Sequence, residues 1–462
     1  MSTVQERADT LRALVRTLAD ASETIIAEWE RKASAPPAPP SIASSVPSHA
    51  LFEARRTAIG AAGMLAALVQ DPRTRAMELC AQYLEARAWH IAVEKRVPDV
   101  LAQAKPGEGV SLERLGEATG INEQKLARIM RCLCSLHTFT EVRPGYFANT
   151  YMSECLLGLS PCKLHTPIPT LAQNPIVRPY SRSWDQYASS IKLPEVLYDP
   201  VKTHSYSDRD TAFNSFYQTQ LSRWEWLEEP VVHPDGKLGP KPDLEMFSLA
   251  MRGGGRAMGP PLYVDYPWDS IKGLVVDVGG GVGGMCLDLG SLYPHLQFVI
   301  EDRAPVLEQA RAIWAKELPE YVAGNRVSFL PHDFFTEQPV KGADVYNLRY
   351  ILHDWDDDRA LAILAALRPA LGPNSRVLVC DQVLDTTLGS PAIAPAPAPL
   401  PANYGTALRM AHCRDLNMLA LSNGQERTPE DLAQLAARAG LRVERVWPCR
   451  GLVWITELRR AG

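Results

Sequence analysis

The stretch from Leu274 to Gly284 reads Leu-Val-Val-Asp-Val-Gly-Gly-Gly-Val-Gly-Gly and runs into an apolar segment through Leu292. Apolar, mostly β-favouring residues around one Asp, then a burst of glycine, then a helical pattern, predict a strand, a tight turn and a helix. Gly279, Gly281 and Gly284 satisfy G-x-G-x-x-G, a spacing that removes side chains where a nucleotide-bearing ligand must approach backbone. A second strand, Gln297 to Ile300, runs into Glu301-Asp302, so Asp302 lies about 20 residues beyond the turn, where a carboxylate can accept from ribose hydroxyls. These features point to a nucleoside ligand; the plain alternative is a glycine turn and a helix-capping Asp that bind nothing.

Further strand patterns follow at Arg326 to Leu330, Ala343 to Leu348 and Arg376 to Cys380, separated by helical patterns such as Ala304 to Ala315 and Arg359 to Leu371. This alternation predicts an α/β, Rossmann-like domain, a doubly wound and mostly parallel sheet with its ligand at the carboxyl ends of the strands. Arg442 to Val446 and Leu452 to Glu457 predict an antiparallel closing hairpin. The stretch between Gly389 and Gly405 is too rich in proline for helix or inner strand and reads as an extended surface loop.

Upstream, Leu11, Leu14, Val15, Leu18, Ile25, Ile26 and Trp29 fall at helical spacing in residues 1–32, an amphipathic helix that packs on another domain, on another subunit or within its own chain. Residues 33–48, rich in Ala, Pro and Ser, read as a linker. In residues 49–160 a long helical pattern from Leu51 to Val97 precedes a short helix capped by Ser111, a turn at Gly120, a helix from Asn122 to Ser135 and a two-stranded wing over Phe139 to Asn149. The result is a mainly helical, winged-helix domain. Residues 161–270 are expected to connect the domains and, through aromatics such as Trp184, Tyr217 and Trp226, to line an apolar pocket for a flat substrate; residues 271–462 form the nucleotide domain.

A winged helix invites a DNA-binding reading through Lys125, Arg128 and Arg131, but Glu113, Glu117 and Glu123 offset that field and the chain carries a formal net charge of -5. Nucleic acid is therefore not an expected partner. The nine Cys are scattered, with no C-x-x-C or His-Cys cluster, and no metal is expected. Charged residues throughout the first 19 positions argue against a signal peptide, and no run approaches the roughly 18 apolar residues needed to span a bilayer. A cytoplasmic protein without membrane attachment is the expectation.

Three more stretches carry specific chemistry: His332-Asp333-Phe334-Phe335, Leu348-Arg349-Tyr350-Ile351-Leu352-His353-Asp354-Trp355-Asp356-Asp357 and Asn423-Gly424-Gln425-Glu426-Arg427-Thr428. With the glycine turn and Asp302, this series resembles the class I S-adenosylmethionine-dependent O-methyltransferases of the caffeic acid type, in their fungal, basidiomycete-like form. The resemblance covers roughly Met77 to Gly462. It implies S-adenosylmethionine as cofactor, S-adenosylhomocysteine as its product, and a small aromatic acceptor methylated on a phenolic hydroxyl. It also implies a homodimer in which the winged helix serves dimerisation, with a place for the N-terminal helix at the subunit interface.

Residue by residue, the resemblance places Gly279 and Gly281 against the methionine part of the cofactor, Asp302 on its ribose, and Asp333 and Phe334 at its adenine. Arg349 stands where plant members usually carry Lys and is expected to contact the cofactor backbone, although Arg and Lys differ in geometry. His353 matches the general base: an imidazole titrating near 6.5 can take the proton of a phenol whose own pKa is near 10. Asp381 and Glu426 match the two acids that flank it, one of which would fix the tautomer and stabilise the imidazolium. Asp354 follows the base, and because adjacent residues point apart it reads as structural or cofactor-side.

Two rivals share the glycine turn. A nicotinamide oxidoreductase gives no place to the His332 to Phe335 and His-Asp-Trp stretches. Fungal relatives of the same fold that bind S-adenosylmethionine but act as pericyclases or dehydratases are the alternative; the retention of His353, Asp381 and Glu426 favours methylation.

Overall fold

The computed structural model describes residues 3–36, 41–157, 184–233 and 236–462. They form two compact units, one of residues 70–184 and 227–257, the other of residues 1–69, 185–226 and 258–462. Residues 158–183, where the connecting region begins, lie outside the described residues.

In the smaller unit each helix begins where the sequence supplies a cap. Asp71 accepts from the Thr74 N–H at the start of Pro72–Glu94, Ser111 from Arg114 at Leu112–Thr119, and Asn122 from Lys125 at Glu123–Ser135. Gly120, at φ +69, closes the second of these helices. The wing has three strands rather than two: β1 (Val110–Ser111) pairs with β3 (Tyr146–Asn149), which pairs with β2 (Phe139–Arg143). Leu115, Leu126, Met130, Leu133, Phe139 and Phe147 fill the core of this winged helix. A short ladder of β4 (Val231–Val232) and β5 (Leu238–Gly239) belongs to the same unit.

The larger unit is built on seven strands: β6 (Leu274–Val278), β7 (Gln297–Asp302), β8 (Val327–Pro331), β9 (Val345–Arg349), β10 (Arg376–Asp381), β11 (Leu441–Trp447) and β12 (Trp454–Arg460). Their order is β11-β12-β10-β9-β6-β7-β8; β12 runs antiparallel to both neighbours and the remaining pairs are parallel. Adjacent residues face opposite layers. Val275 packs with Leu289, Phe298, Trp314 and Tyr321 on one side, while Val276 packs with Tyr346, Leu348, Ile363 and Val379 on the other. Strand order reverses between β6 and β9, so the crevice of this Rossmann-like sheet opens beyond the carboxyl ends of those two strands.

The long helical pattern after the linker breaks at Gln70-Asp71-Pro72 into the helices His49–Val69 and Pro72–Glu94. The first, grouped by sequence with the winged helix, belongs instead to the larger unit, where it packs against the N-terminal helix Val4–Ser34. Leu14 and Ala61 of this hairpin are buried with Leu400 and Tyr404 of the proline-rich loop. The Tyr404 hydroxyl donates to Glu53 at 2.7 Å, and the Arg56 guanidinium lies 3.9 Å from the Tyr404 ring centre. A Cβ on Gly60 would stand 2.6 Å from the Tyr404 carbonyl oxygen, so this packing needs glycine there. Among the described residues no helix is long and apolar enough to cross a membrane.

Candidate active site

The turn after β6 closes with Gly279, Gly281 and Gly283 at φ +66, +60 and +74, a region costly for side-chain-bearing residues. The Gly281 N–H donates to Asp302 Oδ2 at 2.8 Å, and the Arg303 N–H donates to Oδ1 at 2.8 Å. Asp302, at the carboxyl end of neighbouring β7, is thereby pinned over the turn. Burial pushes its carboxyl above the usual range, opposed by those two donors. Where Gly281 would carry a Cβ there is open space.

One wall of the turn is apolar. A Cβ on Gly279 would meet Ile351 Cδ1 at 2.6 Å and Phe334 Cε1 at 3.4 Å. Phe334 in turn packs edge-on against Phe335 and Trp355, and the Asp333 carboxylate accepts from the Phe335 N–H at 3.0 Å. Arg349, at the end of β9, donates to the Tyr263 hydroxyl at 3.4 Å. A glycine turn without obstructing side chains, an acid beside it and an aromatic wall fit a nucleoside with a ribose diol.

Ile351 links this turn to the second cluster, since two residues further on comes His353. The chain leaves β9 through Tyr350 at φ +56 and enters a 3-10 turn, Leu352–Asp354. For a bulky residue the left-handed region costs about 1–2 kcal/mol. The Tyr350 N–H is held by the Cys380 carbonyl at 3.2 Å. His353 is 3% exposed, and its Nδ1–H donates to Glu426 Oε1 at 2.8 Å. Glu426 is itself oriented: Asp415 accepts from its N–H at 2.9 Å, and Arg414 Nε stands 4.0 Å from its Oε1.

The loop that carries Glu426 is fastened to the turn that carries His353. Arg427 donates to the carbonyls of Leu352 and Trp355 and to the Asp357 carboxylate, each at 2.9 Å. Asn423 donates to the Ser207 carbonyl at 2.7 Å. Gly424 lies against the backbone of His353 itself, where a Cβ would stand 2.2 Å from the His353 carbonyl oxygen. Gly424→Ala is therefore expected to cost about 1–3 kcal/mol of stability, measured by denaturant unfolding, as inserted carbon forces the two segments apart.

Asp381 ends β10 and lies buried near His353; its Oδ1 and Glu426 Oε2 have no hydrogen-bond partner among the described residues. Burial alone would push the His353 ring down, but the carboxylates of Glu426, Asp354 and Asp381 outweigh it and raise it to about 9. Burial pushes Asp381 up to about 7, against the pull of His353.

Asp354 corrects the sequence reading. It does not point away: its Oδ1 is 3.7 Å from His353 Nε2, because the 3-10 turn folds the next side chain back toward the ring. Tyr350, Arg414, Asp415 and Arg427 also escaped the sequence reading. Of these, Tyr350 and Arg427 carried a signal there, through their places in the Leu348 to Asp357 and Asn423 to Thr428 stretches.

The description of the O-methyltransferase domain matches residues 268–442, and that of the O-methyltransferase dimerisation domain matches residues 77–158. O-methyltransferase gedA of Aspergillus terreus is 41% identical over 95% of this chain and 94% of its own. Among solved structures, the mitomycin 7-O-methyltransferase MmcR superposes with a TM-score of 0.61 at 29% identity over 84% of this chain and 99% of its own. A pericyclic reaction enzyme superposes with a TM-score of 0.64 at 22% identity over 90% of this chain and 95% of its own, a likeness of fold.

Proposed function

This chain belongs to the S-adenosylmethionine-dependent O-methyltransferases, and we propose that it methylates a phenolic hydroxyl of a small aromatic acceptor with His353 as the general base. The observation that carries this reading is the buried His353–Glu426 pair, whose 2.8 Å bond at Nδ1 leaves Nε2 to receive a proton. When bound, S-adenosylmethionine supplies an electrophilic methyl group on a cationic sulfur and leaves as S-adenosylhomocysteine.

Every other part falls to the chain. Gly279 and Gly281 let the donor approach backbone, Asp302 accepts from its ribose, and Asp333 and Phe334 hold its adenine. Arg349 braces the end of β9 beside them. His353 Nε2 takes the acceptor's proton as its oxygen is alkylated, and Glu426, with Asp381 and Asp354 nearby, stabilises the resulting imidazolium. Phe213, Tyr217 and Trp226, with ring centres 4.6–5.3 Å apart, pack with Met418 and Leu421 into a buried aromatic cluster. The half-helix bearing Met77, Leu79, Tyr83 and Leu84 is exposed in the single chain and supports a homodimer, to be checked by light scattering.

The test is incubation with S-adenosylmethionine and a panel of phenols, following O-methyl product and S-adenosylhomocysteine by mass spectrometry. Equimolar formation of both supports the reading. Conversion of an acceptor without S-adenosylhomocysteine would replace it with a rearrangement or dehydration. Asp302→Ala is expected to weaken S-adenosylmethionine binding by roughly 10- to 100-fold in calorimetry, the worth of a hydrogen bond to a charged group.

A further inference from the structure

Tyr350 stands in a backbone conformation that tyrosine rarely adopts, φ +56, at the point where β9 gives way to the turn bearing His353. Its ring is stacked on the imidazole of His353, with centres 5.3 Å apart and planes 29° from parallel. The same ring has the Arg349 guanidinium 5.4 Å away and that of Arg414 5.6 Å away, and its hydroxyl lies 3.6 Å from Met258 Sδ. A strained residue persists only where its surroundings hold it, and it marks a place where the strained geometry is used.

We infer that Tyr350 is a positioning residue for the base, its ring fixing the plane of the His353 imidazole and offering a π face to the imidazolium that forms there. This rests on the assignment of His353 as the base. Glu426 holds the ring at one edge, through Nδ1, and Asp354, 3.7 Å from Nε2, is too far for a hydrogen bond, so these edge contacts alone leave the ring free to tilt about the first. The stacked face removes that freedom, so that Nε2 stays aimed while a proton arrives. The π face also lowers the energy of the charged ring, as for any cation over an aromatic. The guanidiniums of Arg349 and Arg414 beside the ring help hold Tyr350 in place.

The groups that face His353 set the background of any titration. They are Asp354 and Arg427 around its own turn, Glu426 with Arg414 and Asp415 behind it, Asp381 from β10, and Arg223, which acts on Asp354. Arg414 also contacts the Tyr350 ring, so Tyr350→Phe, which keeps that contact, is the reference for any shift seen in Tyr350→Asn.

Tyr350→Asn removes the ring while accepting the left-handed backbone. It is expected to lower kcat by roughly 10- to 100-fold, with the KM for both substrates nearly unchanged, because the base is misaimed. The acid limb of kcat/KM should move down by about one pH unit as the imidazolium loses its π face. Tyr350→Phe keeps the ring and should recover most of kcat and the position of that limb.

The inference is overturned if Tyr350→Asn keeps kcat within threefold of the parent (about 0.65 kcal/mol), or loses kcat with the limb unmoved, or mainly raises the acceptor's KM. The last result would make the ring a wall of the acceptor site. A His353→Ala control separates the two levels: if it stays active, the base assignment fails, whereas an inactive control beside a fully active Tyr350→Asn removes the role of Tyr350 alone. Thermal unfolding of each variant excludes loss of fold as the cause.

Discussion

Replacing His353 with Ala is expected to lower kcat by about 10²- to 10⁴-fold, the usual contribution of a positioned general base, while S-adenosylmethionine binding stays close to that of the parent. The two effects should separate because His353 and the glycine turn lie on different strand ends: His353 follows β9, whereas the turn follows β6 and Asp302 ends β7. Their contact passes through Ile351, which the substitution leaves in place. The same experiment has a pH arm. Because three carboxylates hold the ring protonated to about 9, the neutral form that can accept a proton is scarce at pH 7. For the parent enzyme the acceptor's kcat/KM should therefore climb with pH through the mildly alkaline range, with a midpoint near 9 rather than near an ordinary histidine's 6.5. A flat profile from pH 6 to 10, or a His353→Ala variant within tenfold of the parent, would reject the base.

Glu426→Gln is expected to give the second largest change. Gln keeps an oxygen to accept from Nδ1–H but removes the negative charge, so the ring loses part of what held its proton. The sign follows directly: the pKa of His353 falls, and the midpoint of the kcat/KM profile moves to lower pH. At the plateau kcat should nevertheless fall by roughly 10- to 100-fold, because the imidazolium formed during reaction is no longer paired with a carboxylate. Glu426→Ala should be worse in another way. It removes the carboxylate that accepts from His353 Nδ1–H and stands 4.0 Å from Arg414 Nε, and removal of one partner of a buried charge cluster costs about 3–5 kcal/mol of stability.

Much of the sheet could be read from the chain because its signals are local. Runs such as Leu274 to Val278 and Arg376 to Cys380 are apolar on both faces, as buried parallel strands must be, and the glycines between strand and helix mark a turn whatever surrounds it. The helix cap at Ser111 is equally local. What stayed hidden depends on distance along the chain. β1 is only two residues long and exists because β3 offers it an edge. The nearness of Asp354 to His353 depends on the tight turn between them, which no propensity records. Arg414 and Asp415 sit in a helix whose apolar periodicity is weak and whose relation to Glu426 is made by a reversal at Asn423, φ +54. Tyr350 reads as one more strand-end aromatic until its backbone angle and its stack on the imidazole are seen together.

The N-terminal hairpin and the proline-rich loop are two halves of one joint, although more than 300 residues of sequence separate them. The hairpin precedes both matched regions of domain sequence, whereas the loop lies inside the larger one. A chain shortened to begin at residue 70 would look complete by that measure. It would nonetheless uncover Leu400, strip Tyr404 of Glu53 and Arg56, and loosen the segment that feeds into the helix Arg409–Ser422. That helix carries Arg414 and Asp415, and through them the orientation of Glu426. Trimming a terminus is ordinarily judged by how much backbone it leaves unpaired; here it would act as a substitution in the active site, made from the opposite end of the gene product.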